Sequence, residues 1–266
     1  QLYNNTFKDG SIFISYKLAN TLVDNISIFE NKAENGRIFF MDFGGNMIIE
    51  NSKLWNNEFY NGQTTIQSIG GTFTMKNVTV RNMAYDSSST LLSVLKYSQT
   101  TISNCIFNNI SKIKSPDYVR SIHYLDNYKM LMLFQFATVT FKNTIIENYS
   151  HLMSVISSTL EIISSVIKNP NVYLNERQLM STFESTVYLT DLTLIDELSS
   201  ISIKTVTDKW ITSFASTLYA RALIVKDLID DVGKFGEFYG GYYNFTDSIF
   251  SNVSYKVSGS IFEQVE

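Results

Sequence analysis

The sequence predicts an all-β chain, a right-handed parallel β-helix solenoid of about ten coils with three short strands in each coil. A short motif containing Asn or Asp recurs at intervals near 26 residues, which is typical of a solenoid repeat. Strand-favouring Ile, Val, Thr, Phe and Tyr alternate with polar residues around this motif. No apolar period of 3.6 residues persists long enough to predict helices, and propeller blades would need about 40 residues each.

The repeat motif is a short strand, a polar corner residue and a second short strand. It is clearest at Thr72–Asn77, Thr100–Asn104 and Thr138–Asn143, each followed by a second alternating run. The corner position is predicted at Asn4, Asn25, Asn51, Asn77, Asn104, Asn143, Ser164, Asp191, Ala222 and Asp247. A third apolar run precedes each motif, so every coil holds three strands. Successive coils then stack at about 4.8 Å.

Asparagine suits the corner because it tolerates the left-handed backbone region better than most residues. Stacked amides can also bond one another along the axis. We therefore predict a structural ladder formed by Asn25, Asn51, Asn77, Asn104, Asn143, Asp191 and Asp247. The predicted inward positions of the following strand are Phe29, Leu54, Val80, Phe107, Ile146, Ile167, Ile195, Val225 and Phe250.

The coils are predicted to form one domain over residues 1–266, with both termini lying inside repeats of a longer chain. Insertions are predicted at about 110–130 and 197–209, where the spacing lengthens. Loops on rigid scaffolds often carry function. In the first insertion, Lys112, Lys114, Tyr118, Arg120, Tyr124 and Tyr128 are candidate contacts for a protein or glycan partner.

This repeat shape resembles the pectin-lyase-like right-handed β-helix superfamily. The resemblance covers the whole chain but not the catalytic motifs of that superfamily: Gly-His-Gly, Asn-Thr-Asp and Arg-Ile-Lys do not occur. The excess of Asn, Ile, Lys, Phe and Tyr is also similar to that of large non-catalytic β-helical surface proteins of protists. The resemblance implies a structural role rather than catalysis.

Candidate catalytic chemistry is confined to Asp196 and Asp227, predicted at equivalent corners of adjacent coils. Two nearby acids could act on a glycoside or recruit a cation, but two solvated corner acids are the simpler interpretation. Asp230 and Asp231 could add metal ligands, although no spaced acidic loop motif is present. The lone cysteine, Cys105, is expected to be a small core residue, and no cofactor is predicted.

The formal net charge of −4 gives no reason to expect nucleic acid as a partner, and no apolar run is long enough to span a membrane. Seven Asn-X-Ser/Thr sequons occur, about as many as the composition supplies by chance. Of these, Asn109, Asn148 and Asn252 are the candidate N-glycosylation sites, since they end strands.

Two functions remain open from the sequence. The first is a structural or interaction module of an extracellular or cell-surface β-helical protein, acting in scaffolding, adhesion or assembly, with adjoining parts of the same chain as neighbours. The second is a carbohydrate-active enzyme or a glycan-binding β-helix. The sequence favours the first, because the catalytic motifs of the superfamily are missing.

Overall fold

The computed structural model describes residues 1–17, 19–61, 64–86, 89–112, 130–149, 152–170, 179–196, 208–227, 229–230, 233–255 and 262–265. All regular structure in these ranges is β-strand, which confirms the predicted all-β class. The strands are β1 (Leu2–Tyr3), β2 (Thr6–Tyr16), β3 (Asn20–Asp24), β4 (Ser27–Phe29), β5 (Lys32–Glu50), β6 (Lys53–Trp55), β7 (Glu58–Tyr60), β8 (Thr64–Lys76), β9 (Thr79–Tyr85), β10 (Thr90–Leu95), β11 (Gln99–Ser103), β12 (Ile106–Lys112), β13 (Met132–Gln135), β14 (Thr138–Lys142), β15 (Ile145–Tyr149), β16 (Met153–Ile156), β17 (Thr159–Pro170), β18 (Met180–Phe183), β19 (Thr186–Ile195), β20 (Asp208–Arg221), β21 (Ile224–Lys226), β22 (Ile229–Asp230), β23 (Gly233–Thr246), β24 (Ile249–Ser251), β25 (Ser254–Tyr255) and β26 (Phe262–Val265).

Every described strand pairing is parallel, and each segment pairs with the equivalent segment one repeat further along the chain. Three series of paired segments follow, which we name face 1, face 2 and face 3. Their central inward columns begin Phe39↔Ile66↔Leu92, Ile49↔Met75↔Ile102 and Leu54↔Val80↔Phe107, respectively. The columns continue in register to Ile211, Phe245 and Phe250 further along the chain.

The inward side chains of all three faces join in one hydrophobic core. Phe39, Ile49 and Leu54, one from each face, are completely buried, as are Met180 and Leu189 much further along the chain. Alternation explains this arrangement, because successive side chains of a strand point to opposite sides of the sheet. The core is therefore continuous along the stack of repeats rather than divided into separate clusters.

Left-handed backbone marks the turns between faces. The corner between faces 2 and 3 has a positive φ in each repeat from Asn25 to Asp247, including the substituted positions Ser164 (46°) and Ala222 (54°). A second left-handed column follows face 3 and includes Asn56, Asn82 and Asn109. The backbone geometry of this corner is thus the same in every repeat, and asparagine tolerates it better than most residues that carry a Cβ.

The early repeats contain a fourth paired segment that the three-strand prediction missed. Residues Lys32–Glu34 pair with Glu58–Tyr60 after the second corner, and Phe59 pairs with Tyr85 in the next repeat. The Phe59 and Tyr85 rings stack with centroids 5.3 Å apart. The prediction of three strands in each coil therefore holds one strand too few in this part of the chain.

Three register predictions were also wrong. Leu2 pairs with Ile28, which places Asn4 beside Glu30 in the second corner column rather than above Asn25. Ile28 is the inward partner of Leu54, so Phe29 lies on the outer surface. Likewise, Leu194 rather than Ile195 continues the core column.

Candidate functional site

A groove of about 450 Å³ lies at the corner between faces 1 and 2. We name it the corner groove. Its lining residues come from four successive repeats: Tyr97, Gln99, Phe136, Ala137, Thr138, Ser157, Ser158, Thr159, Glu184 and Thr186. Rings, hydroxyls, an amide and a carboxylate therefore border one elongated depression.

A column of polar side chains forms the face 2 wall of the corner groove. Gln99 pairs with Thr138, which pairs with Thr159, followed by Thr186 and Thr217. These side chains point outward because the next residues along the strands, such as Val139 and Leu160, are completely buried. Parallel strands are spaced at about 4.8 Å, so the wall presents a regular row of hydrogen-bonding groups.

Tyr97 reaches the groove because its repeat has one extra residue at the corner. Leu95 and Gln99 enclose three residues, whereas their register partners Gln135 and Thr138 enclose two. The extra residue lengthens the turn between β10 and β11 and projects the Tyr97 side chain from it. The Tyr97 side chain is 83% exposed, which is unusual for a ring of this size.

The backbone at this aromatic pair is strained. Lys96, Tyr97 and Phe136 all have left-handed φ values, of 54°, 64° and 51°. For a bulky residue this conformation costs about 1–2 kcal/mol. The two rings lie with centroids 6.4 Å apart and are tilted by 40°, so neither fully covers the other.

Below this surface, serines hold the corner rigidly. The Ser158 hydroxyl donates to the Ile156 carbonyl at 2.7 Å and accepts the Ala137 N–H at 3.0 Å. Ser185 accepts the N–H of Ser158 in the same way, and Ser216 accepts that of Ser185. The exposed groove residues are therefore mounted on a turn whose buried polar groups are bonded.

Exposed aromatic residues continue from the corner groove along faces 1 and 2. On face 1, the Phe214 and Tyr239 rings stack at 4.5 Å, and on face 2 the Tyr188 and Tyr219 rings stack at 5.3 Å. Phe183 is 48% exposed and Tyr242 is 53% exposed. An apolar surface of this kind on a folded protein commonly marks a contact with another molecule.

The predicted amide ladder is present in part. Asn77 donates to Asn51 at 3.1 Å, Asn104 to Asn77 at 3.4 Å, and Asn143 to Asn104 at 3.3 Å. At the start of the ladder, the Asn51 amide donates to the Asp24 carboxylate rather than to Asn25. Asp191 and Asp247 keep the corner conformation, but a carboxylate has no N–H with which to extend the ladder.

Asp196 and Asp227 do lie at equivalent positions of adjacent repeats, since Ile195 pairs with Lys226. The favoured interpretation of two solvated acids was wrong for Asp196, which is completely buried. The Asp227 carboxylate accepts a bond from the Asn252 amide at 2.8 Å. The two acids are therefore not exposed together on one surface, because Asp196 is buried and Asp227 is half-exposed.

Cys105 is buried, as expected for a core residue. Its thiol bonds the Ser103 carbonyl at 3.2 Å, just as Ser52 and Thr144 bond the carbonyl two residues before them in neighbouring repeats. Burial raises the pKa of the Cys105 thiol to about 11. The cysteine therefore replaces a hydroxyl residue of the turn and is poorly suited to act as a nucleophile.

Several predicted site residues lie outside the described residues. These are Lys114, Tyr118, Arg120, Tyr124, Tyr128 and Asp231, together with the side chains of Lys112 and Asp230. The ends of the predicted insertions belong to the strands, because Ile110 is buried in β12 and Asp208 begins β20. Among the predicted glycosylation sites, Asn109 and Asn252 are exposed and Asn148 is half-buried.

The corner groove was missed by the sequence analysis, although its signal is present in the repeats. Aligning Leu95–Gln99 with Gln135–Thr138 shows the extra residue that projects Tyr97. In the described part of the chain, no group of three or more His, Cys, Asp or Glu side chains could hold a metal ion. The same ranges contain no helix with the length and hydropathy of a membrane span.

No protein-family model matches the chain. A search of curated proteins also gives no match. Among solved structures, the chain is similar to the surface protein and adhesin PfbA of Streptococcus pneumoniae, at 9% identity and a TM-score of 0.23. That alignment covers 98% of this chain and 91% of the other.

Proposed function

We propose that the chain is a right-handed parallel β-helix that acts as an interaction module and presents the corner groove to a partner. The solenoid architecture is supported by the parallel register, in which each segment pairs with its equivalent one repeat later. Right-handed winding is the general preference of parallel crossovers. The likeness to the pectin-lyase-like superfamily is then one of architecture.

The observation that carries the interaction role is Tyr97. The ring is 83% exposed on the left-handed backbone of a lengthened turn, although burial or a smaller residue would be more stable there. Conformational strain at an exposed residue is commonly retained where that residue contacts another molecule. Phe136 and the outward threonines extend the contact surface along the axis.

A matched pair of variants tests this role. Tyr97→Ser with Phe136→Ser removes the groove rings, while Tyr16→Ser with Phe43→Ser removes rings that are 49% and 65% exposed at the same corner of earlier repeats. In solid-phase binding to extracellular-matrix proteins and glycans, we expect the groove variant to lose about tenfold or more in affinity for the captured partner. Equal loss in both variants, or no binding by the unaltered protein, contradicts the proposal.

A second candidate function is glycan binding, which the composition of the corner groove favours. Sugars combine hydroxyls with an apolar ring face, and this groove combines Gln99 and the threonine column with the exposed ring of Tyr97. Binding to a glycan array that is lost in the groove variant supports this candidate, whereas capture of proteins alone excludes it. A polysaccharide-degradation assay separates binding from cleavage.

We place the protein outside the cell or on its surface as part of the same proposal. The exposed Asn109 and Asn252 are accessible for glycosylation in a secretory pathway. Intact-mass measurement of the protein from its native source, before and after glycosidase treatment, tests this placement. Unmodified asparagines in every sequon would remove its main support.

A further inference from the structure

A second groove, of about 550 Å³, lies on the outside of face 3 in the early repeats. The side chains that line it are Lys53, Trp55, Asn56, Thr79, Arg81 and Asn82. We name it the cationic groove. It lies near the opposite end of the chain from most of the exposed aromatic residues and has a different composition from the corner groove.

The cationic groove contains two positively charged side chains, Lys53 and Arg81, for which the described part of the chain provides no acidic partner. Lys53 pairs in register with Thr79, and Arg81 pairs with Trp55, so the two cations are diagonal neighbours on the outer surface. The described residues provide neither cation with an ion pair, whereas Lys32 bonds Glu58 and Lys168 bonds Glu147 elsewhere on the chain. In a protein of net charge −4, two adjacent exposed cations without an acid between them form a distinct positive site.

Trp55 adds a flat apolar surface beside these cations. One ring face is covered by Phe29, with centroids 4.4 Å apart and planes within 5°, and Phe29 is itself stacked on Tyr3. The next residue of this outer column is Arg81. Trp55 is half-buried and lines the groove beside Arg81.

Neutral hydrogen-bonding groups complete the lining. The Asn82 amide donates to Asn56 at 3.0 Å, and Asn109 donates to Asn82 at 3.0 Å, which fixes both corner amides. The Thr79 hydroxyl lies between the two cations in register. Glu30, the acid of the same corner column, stands one repeat before Asn56, on the side away from Arg81.

We infer that the cationic groove binds a sulfated saccharide. Lys53 and Arg81 contact a sulfate ester, the Trp55 ring packs against the apolar face of the sugar ring, and the amides and Thr79 bond its hydroxyls. Guanidinium and ammonium groups bond oxyanions strongly because the bonds are charge-assisted. The volume accommodates a saccharide of more than one unit, and the site is independent of the corner groove.

The test compares dextran sulfate oligosaccharides with unsulfated dextran and carboxymethyl-dextran of matched length, by calorimetry at physiological salt. We expect binding to dextran sulfate only, with about a tenfold or greater loss in Lys53→Gln/Arg81→Gln. The control Lys76→Gln/Lys142→Gln removes the same charge from exposed positions on face 2 and is expected to bind normally. Trp55→Leu is expected to weaken binding as well, with circular dichroism confirming that each variant is folded.

Four results overturn the inference. If the control Lys76→Gln/Lys142→Gln loses as much affinity as Lys53→Gln/Arg81→Gln, the binding reflects general charge attraction. If unsulfated dextran binds as tightly as dextran sulfate, the sulfate group has no role. Tighter binding of a phosphate-rich RNA of similar charge, competing at the same residues, assigns the groove to another class of ligand. No binding by the unaltered protein removes the site. The Tyr97→Ser/Phe136→Ser variant should bind dextran sulfate normally, which separates this result from that of the proposed function.

Discussion

The repeats before residue 113 and those after residue 129 share their corner geometry but differ in the polar groups inside them. In the early repeats, the interior contains the amides of Asn31 and Asn57, which bond each other at 2.9 Å across repeats. In the later repeats, the hydroxyls of Ser158, Ser185 and Ser216 bond the buried backbone at the corner between faces 1 and 2. The early repeats keep a spacing near 26 residues, while the later ones vary.

The difference shows two ways of satisfying the buried backbone of a turn. Asn57 bonds its own segment through the Trp55 carbonyl and the previous repeat through the Ile28 carbonyl and the Asn31 N–H. A serine hydroxyl has a single proton to donate. Ser185 directs it to the Phe183 carbonyl of its own segment and to the Val155 carbonyl of the preceding repeat, and it accepts the N–H of Ser158. Interior amides therefore couple neighbouring repeats more strongly.

The largest expected effect is at Asn57. Replacing this completely buried residue by Ala leaves N–H and carbonyl groups of the previous repeat without partners. We expect the free energy of unfolding to fall by about 3 kcal/mol, measured by urea denaturation. A loss below about 1 kcal/mol would contradict the idea that interior amides couple the early repeats.

Ser185→Ala is the matched change in the later repeats. It removes the acceptor of the Ser158 N–H and the hydroxyl that the Phe183 and Val155 carbonyls share. The expected loss is about 1–2 kcal/mol, smaller than at Asn57 because fewer groups lose partners. The same denaturation experiment compares the two, and an equal or greater loss at Ser185 would reverse the comparison.

Asn77 tests the outer corner, where φ is 55°. Asn77→Ala removes the ladder bonds and places an ordinary residue in the left-handed region, so we expect a loss of about 1–2 kcal/mol. Asn77→Gly is the control, because glycine adopts this conformation readily, and it should lose less. If both variants lose the same stability, the ladder bonds rather than the backbone conformation dominate.

Tyr97→Gly is expected to raise the free energy of unfolding by about 0.5–1 kcal/mol, because glycine relieves the left-handed strain while losing the partial contact with Phe136. Thermal or urea unfolding measures the change. Stability and binding should then move in opposite directions at this residue, as expected where function retains strain. A destabilised variant would show that Tyr97 serves the fold.

Cys105→Ser should change stability least, by less than about 1 kcal/mol, since serines and threonines make the same turn bond in other repeats. The effect of pH distinguishes the two residues. The pKa of Cys105 in the folded protein, about 11, lies above the ordinary value of 9.0. The stability that the protonated thiol contributes is therefore complete below pH 9 and is lost as the pH rises through 11. Urea denaturation at pH 8 and pH 10.5 should therefore show a smaller decline in the serine variant.

The sequence predicted the all-β class and most corner residues because left-handed turns and alternation leave local signals. Asn77, Asn104 and Asn143 lie where the repeat motif places them. Phe29 was assigned to the core because Ile28 and Phe29 are both apolar, and alternation alone cannot tell which one points inward. The outward ring is stabilised by stacking on Tyr3 and Trp55, which depends on neighbouring repeats.

Candidate sites were harder to predict than the fold. The burial of Asp196 and the exposure of Tyr97 depend on how one repeat lies on the next, not on local composition. The predicted contacts between 114 and 128 lie outside the described residues and stay predictions. The two grooves are visible only when residues from successive repeats are placed side by side.

The amide ladders also give the early repeats an internal balance of dipoles. On the outer corners, each amide N–H points toward the preceding repeat, from Asn143 back to Asp24 and from Asn109 back to Asn56. In the interior, Asn5 and Asn31 point the opposite way, toward the following repeat. Aligned hydrogen bonds polarise one another, so two antiparallel series partly cancel the field that either would build along the axis. A stack can therefore gain cooperative bonding on both sides while accumulating less opposite charge at its two ends.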